Sequence, residues 1–233
     1  MLSPAPAILP AAFAHRLGRL FTPDHGRLAA YLRAQAAPDA LSASLDAPLS
    51  HGRDGAPSAP AARYFVIHDT SQPYLGELPF PADMDTSDAL NNLTGYLGPE
   101  AVAHLFINRR GDIAVGHDLA VPWRATKLES RVIGTPAKGL FLHVENQQPR
   151  RADPAARPGN DRIAPVPGLT RAQYDSLALA YVVASARAGL WLKPAFHAAI
   201  DEGLPDAHDD PQNFDLPAFD AAVTRHLTAI KVK

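Results

Sequence analysis

Tyr64-Phe65-Val66-Ile67-His68-Asp69-Thr70-Ser71 decides the fold class. Its first five residues are aromatic or β-branched up to a terminal histidine, which is the pattern of a strand buried near the centre of a sheet. Asp69-Thr70-Ser71 then takes the chain out of the sheet at its carboxyl edge. Downstream, prolines at 73, 79 and 81 mark a loop, and the pattern predicts a helix over 86–97. Residues 103–108, a turn at Arg109-Arg110-Gly111-Asp112 and the return through 113–116 read as a hairpin. A further strand follows at 139–145. Residues 149–168 contain five prolines and read as a long surface loop. Thr170 is placed to cap a helix whose Leu177, Leu179, Ala180, Val183 and Ala184 form a buried stripe, and a last helix runs over 217–230. Upstream, residues 11–36 carry two helical patterns, the second opening at Thr22-Pro23-Asp24 with Thr22 as cap and Pro23 at the first helical position. Strands interleaved with helices imply an α/β fold, a central mixed sheet flanked by helices. The expected organisation is an N-terminal helical extension over 1–45, a Ser/Gly/Ala/Pro-rich linker over 46–62, and the main domain over 63–233.

Composition narrows the function. The chain has 233 residues, enough for one sizeable core, with 22 Lys+Arg against 24 Asp+Glu. This near-neutral balance argues against a sequence-independent nucleic-acid binder. Cysteine is absent, which removes disulfide scaffolds, thiolate metal sites and a cysteine nucleophile. No stretch approaches the roughly 20 consecutive apolar residues of a membrane span. The N-terminus lacks the basic start of a secretory signal, and Pro4 and Pro6 interrupt its apolar run.

The ten histidines carry most of the information. A hydrolytic zinc site typically takes three protein ligands and keeps one position for water; without cysteine, His and Asp/Glu must supply them. His68, at a strand end beside the sheet's edge, suits that role, or is a half-buried histidine satisfied by a loop carbonyl. A second cluster spans Phe196-His197-Ala198-Ala199-Ile200-Asp201. A third, Asp206-Ala207-His208-Asp209-Asp210-Pro211-Gln212-Asn213-Phe214-Asp215, is either a solvated acidic loop or, with its acids and histidine bracketed by Leu204 and Phe214, part of the same centre. Glu145 ends an apolar strand, so it faces solvent or enters a polar pocket, where it would suit a general base beside a metal.

In order and spacing these segments resemble the zinc-dependent N-acetylmuramoyl-L-alanine amidases of the type-2 class, which includes the peptidoglycan recognition proteins. Residues 64–71 are similar to that family's first strand with its terminal zinc-binding histidine. Residues 102–113 resemble its Ser-Ala-His hairpin, and Trp123-Arg124-Ala125 falls at its Ala-Trp-His-Ala-Gly segment. Leu142-His143-Val144-Glu145 resembles the strand carrying the catalytic glutamate, and His208 to Asp215 resembles Lys-x-Asp-Pro-Gly-Pro-x-Phe-Asp. The match covers about 60–217.

The resemblance implies zinc held by His68, His197 and Asp210. It implies Glu145 as the base acting on water, with His208 in place of the lysine that steadies the oxyanion. Thr70, His104 and Trp123 would line the substrate groove. The implied reaction is hydrolysis of the amide between N-acetylmuramic acid and the L-alanine of the stem peptide, on peptidoglycan or muropeptides, by an expected monomer with no nucleic-acid partner and no membrane span. Phe-His for Gly-His, Pro-Gln for Pro-Gly, Arg124 for the segment's histidine and Ala103 for a tyrosine are departures that leave the zinc set whole. His117 and His143 would replace a ligand under a shifted register. His15, His25, His51 and His226 are expected to face solvent. A non-catalytic peptidoglycan-binding module is the alternative, and an α/β domain with unrelated histidines a third. With no visible signal, a cytoplasmic location or a non-classical export route to the cell wall is expected.

Overall fold

The structure is a computed structural model and describes residues 9–42, 45–47, 49, 62–134, 139–157 and 160–231. Five strands form the central sheet: β1 (Tyr64–Asp69), β2 (Leu105–Ile107), β3 (Ile113–Val115), β4 (Phe141–Asn146) and β7 (Lys193–Phe196), while β5 (Arg151–Arg157) and β6 (Asn160–Ile163) lie outside it. The order across it is β3-β2-β4-β1-β7, with β2/β3 antiparallel and the other neighbours parallel. The fold is therefore α/β with a mixed sheet flanked by helices. β1 lies between β4 and β7, as its apolar run requires.

Alternation divides the sheet into two unlike faces. Phe65, Ile67, Leu105, Ile107, Leu142 and Val144 join the large apolar core. Val66, His68, His104, Phe106, His143 and Glu145 occupy the alternate positions, and every imidazole of the sheet is among them. His68 pairs in register with Glu145, and Val66 with His143.

Helix α4 (Arg171–Ala188) packs on the apolar face, and α6 (Leu216–Ile230) packs on α4. Residues 177 through 187 of α4 are all buried, so the expected stripe is in fact a helix enclosed all round. Tyr181 is the junction. Its ring lies 5.3 Å from Phe65, 5.7 Å from Phe13 and 5.6 Å from Phe219, and its hydroxyl donates to Leu192 O at 2.7 Å.

Thr170 caps α4 as read. Its Oγ1 accepts Gln173 N–H, Gln173 Oε1 accepts Thr170 N–H, and the hydroxyl donates to Arg109 O at 2.7 Å. Thr170→Ala is expected to cost about 1–2 kcal/mol, seen as a lower urea midpoint with unchanged slope.

The N-terminal helices α1 (Ala11–Arg16), α2 (His25–Ala34) and α3 (Asp39–Ser42) lie against the same core, burying Phe13, Leu28, Leu32 and Leu41. The cap of α2 is Asp24 rather than Thr22: its carboxylate accepts Arg27 N–H, so Pro23 precedes the helix instead of starting it. Residues 50–61 of the expected linker lie outside the described residues.

Two expectations need correcting. Residues 86–97 form turns with one 3₁₀ turn at Thr94–Tyr96 instead of a helix. Polar side chains there take the backbone groups a helix would use: Asn91 donates to Met84 O and Ser87 O, and Asn92 Oδ1 accepts Thr94 N–H. Residues 149–168 are not simply a loop, because β5 (Arg151–Arg157) and β6 (Asn160–Ile163) pair antiparallel in a separate two-stranded ribbon. Pro154 falls where the ribbon's register shifts between Ala152 and Arg157, a place that needs no donor. No helix among the described residues is long and apolar enough to cross a membrane.

Candidate metal centre

The polar face of the sheet ends in the site. β1 delivers His68 and β4 delivers Glu145 at their carboxyl ends, while β7 stops at Phe196 and α5 (His197–Ile200) begins with His197. Asp210 arrives on the loop before α6 and is fastened there. Its Oδ2 accepts Asp69 N–H at 3.1 Å, and its carbonyl accepts Ala198 N–H at 2.8 Å. The same loop is tied down by Gln212, which accepts Ala164 N–H, donates to Arg162 O and offers its N–H to Asp69 Oδ2. The Gln that departs from Pro-Gly thus anchors the loop. Beneath it, Arg150 is fully buried and pairs with Asp69 at 2.7 Å.

His68, His197 and Asp210 converge, each buried and offering one ligating atom, with all three atoms within 4.8 Å of one another. His68 Nδ1 stands 2.9 Å from His197 Nδ1, and His197 Nδ1 is 3.0 Å from Asp210 Oδ1. The outer nitrogens decide what those atoms carry. His197 Nε2 is 3.0 Å from Asp201 Oδ2, so a proton resides there and, in the neutral ring, Nδ1 is a lone pair. His68 Nε2 faces His143 Nδ1 at 3.1 Å, and His143 Nε2 lies 3.2 Å from Glu129 Oε2. A proton on His143 Nε2 makes its Nδ1 an acceptor, so His68 donates from Nε2 and also points a lone pair inward. Two lone pairs and a carboxylate then face one point. A donor set of two imidazoles and a carboxylate meeting at one point fits zinc.

The electrostatics follow from burial and from these neighbours. Burial, then the neighbouring His197, drives His68 well below its ordinary pKa, keeping it neutral. Burial opposes charge on His197, but Asp210 and Asp201 on either side of the ring raise its pKa overall. Asp210 is lowered despite burial by the imidazoles around it, His197 first and then His208. Burial pushes Asp69 up to about 6, with Arg150 working against it and Asp210 adding to it. Burial, then Asp210 and Asp69, raises Glu145 well above the carboxylate range. A bound divalent ion reverses that local field.

Glu145 Oε1 is 3.8 Å from His68 Nδ1, and its Oε2 is buried without a hydrogen-bond partner. Its carboxylate therefore borders the convergence without belonging to it. His208 is half exposed, with its ring stacked 4.3 Å from that of His197 and its Nδ1 3.3 Å from Asp210 Oδ1. Thr70 and Trp123 are not among the converging ligand atoms. The Thr70 hydroxyl donates to Gln72 O, and the half-buried Trp123 ring lies 3.9 Å from that of His117.

His104 lies behind the site rather than at its surface. It is wholly buried, its Nδ1 accepts His143 N–H at 3.0 Å, and its Nε2 meets Val121 O at 3.0 Å, leaving no atom for a substrate. His226 does not face solvent: it is buried between Tyr31 Oη and Asp175 O. His51 lies outside the described residues. His117 bonds Ala101 O, and His143 sits behind His68 rather than in its place. Glu129, Asp201 and Arg150 were not singled out as site residues by the sequence. Asp201 had a signal in its four-residue spacing from His197 at the start of a helix; Glu129 and Arg150 had none.

No family model matches the chain, and no curated protein does. A solved structure described as the crystal structure of a selenomethionine AmpD derivative is similar over 70% of this chain and 86% of that one, at 22% identity and a TM-score of 0.43.

Proposed function

We propose that this chain is a zinc-dependent peptidoglycan amidase that cleaves the bond between N-acetylmuramic acid and the L-alanine of the stem peptide. One observation carries the reading: ligating atoms of His68, His197 and Asp210 lie within 4.8 Å of one another, beside Glu145, whose buried Oε2 has no hydrogen-bond partner. His68, His197 and Asp210 would hold the ion. Zinc, when bound, supplies Lewis acidity that polarises a carbonyl and acidifies water near neutral pH.

Glu145 takes the proton from the attacking water and passes it to the leaving amine nitrogen of L-alanine as the C–N bond breaks. Its position on the rigid end of β4 fixes the carboxylate against the reacting carbon. His208, at the solvent side of Asp210, donates a hydrogen bond to the oxyanion. Thr70 and Trp123 contribute to the groove.

Digestion of purified sacculi and of soluble muropeptides by the zinc-loaded protein, with mass spectrometry of the products, tests the reading. The expected products are stem peptides with a free L-alanine amino terminus and glycans with an intact lactyl acid. Retention on sacculi with no peptide released would replace catalysis by binding alone.

A further inference from the structure

Residues 125–129 hold a carboxylate behind each of the two converging imidazoles. Glu129 Oε2 accepts the N–H groups of Ala125 (3.2 Å) and Thr126 (3.0 Å) and the Thr126 hydroxyl (2.9 Å). The same oxygen lies 3.2 Å from His143 Nε2, and His143 Nδ1 faces His68 Nε2 at 3.1 Å. The 3.2 Å approach is off the line of a good hydrogen bond. Glu129 Oε1 and His143 Nε2 are both buried without another partner, which leaves Glu129 the one carboxylate that faces this nitrogen among the described contacts.

Behind the other ring, Asp201 accepts Lys127 N–H at 3.1 Å and Leu128 N–H at 2.9 Å, and Oδ2 meets His197 Nε2 at 3.0 Å. The segment then runs into a π-helical turn at Leu128–Ile133, a local geometry frequent at functional sites.

We infer that residues 125–129 act as one bracket for both imidazoles, with Glu129 (through His143) and Asp201 as positioning residues that keep each Nδ1 lone pair turned toward Asp210. This rests on reading His68, His197 and Asp210 as zinc ligands. A neutral imidazole has two tautomers, and the wrong one points an N–H at the ion. A carboxylate locked by backbone donors at the far nitrogen selects the right one. Because one segment locks both carboxylates, loss of either loosens the other.

The test uses the full chain. Long-range ¹H–¹⁵N spectra of the metal-free protein are expected to show His68 as the Nε2–H tautomer, and Glu129→Ala to mix it with the Nδ1–H form. Zinc affinity, measured against a chromophoric chelator, is expected to fall about 10–100-fold in each of Glu129→Ala and Asp201→Ala. Glu129→Gln, which retains an acceptor for His143, recovers most of the loss. The double variant loses less than the product of the single losses. If Glu129→Ala does not fold by circular dichroism, Thr126→Val removes one donor to Glu129 and carries the same sign at smaller size. Unchanged zinc affinity in these variants, or losses that simply multiply, overturns the bracket. A wild-type chain that binds no zinc refutes the ligand reading instead, and the His68 tautomer still decides the inference: an unchanged tautomer in Glu129→Ala overturns it.

Discussion

Glu145→Gln is expected to lower amide cleavage by about 10²–10⁴-fold, the usual contribution of a general base, while zinc content stays near one ion per chain. The two halves of this result come from one geometry. Glu145 stands 3.8 Å from the nearest ligating nitrogen, and Asp210, not Glu145, completes the set of three converging atoms. Its Oε2 has no hydrogen-bond partner to lose, so the substitution leaves the scaffold as it was. Glutamine keeps the volume and polarity of the side chain but cannot take a proton from water. Peptide release under single-turnover conditions, with metal content measured on the same sample, checks both halves. Full activity in Glu145→Gln would remove Glu145 from the chemistry.

The second large effect is on stability. Zinc that binds the folded chain and not the unfolded one adds about 4 kcal/mol at a thousandfold excess over Kd. For a chain of this size each kcal/mol moves Tm by roughly 2–4 °C, so chelation should lower Tm by about 8–16 °C. His68→Ala and Asp210→Ala should abolish the difference between zinc-loaded and chelated samples. That difference is the informative quantity, because any packing cost of the substitution appears in both samples and cancels. Asp210→Ala also frees Asp69 N–H, which adds to the drop in that variant's chelated baseline. A wild-type melting temperature indifferent to chelation would contradict a native-state metal.

The sheet was legible because its strands state their faces. In 64–68 the alternation puts Phe65 and Ile67 on one side and Val66 and His68 on the other, and Leu142, His143, Val144 and Glu145 repeat it. Helix α4 was legible from its Thr170 cap and apolar content. The segment 86–97 was not, since its Asn side chains bind the local backbone more effectively than a helix would. The β5–β6 ribbon was hidden by its prolines and by the absence of an apolar face to alternate.

In the site, the convergence of residues 68, 197 and 210 follows from strand ends meeting at one edge, and the order of the segments carried that information. What lies behind the imidazoles did not show. Glu129 reaches His143 from a π-helical turn with no sequence period, and Arg150 is buried by tertiary packing against Asp69 rather than by any local pattern. His104 shows the complementary limit. At the head of a strand it sits near the site in sequence, yet the fold spends both its nitrogens on backbone.

Anomalous diffraction at the zinc edge from crystals grown with zinc tests the central claim most directly. The expected density is a single peak at about 2.0–2.2 Å from His68 Nδ1, His197 Nδ1 and an Asp210 oxygen, with Glu145 beside it and unbound. No peak at that point, or a peak held by other side chains, would contradict it.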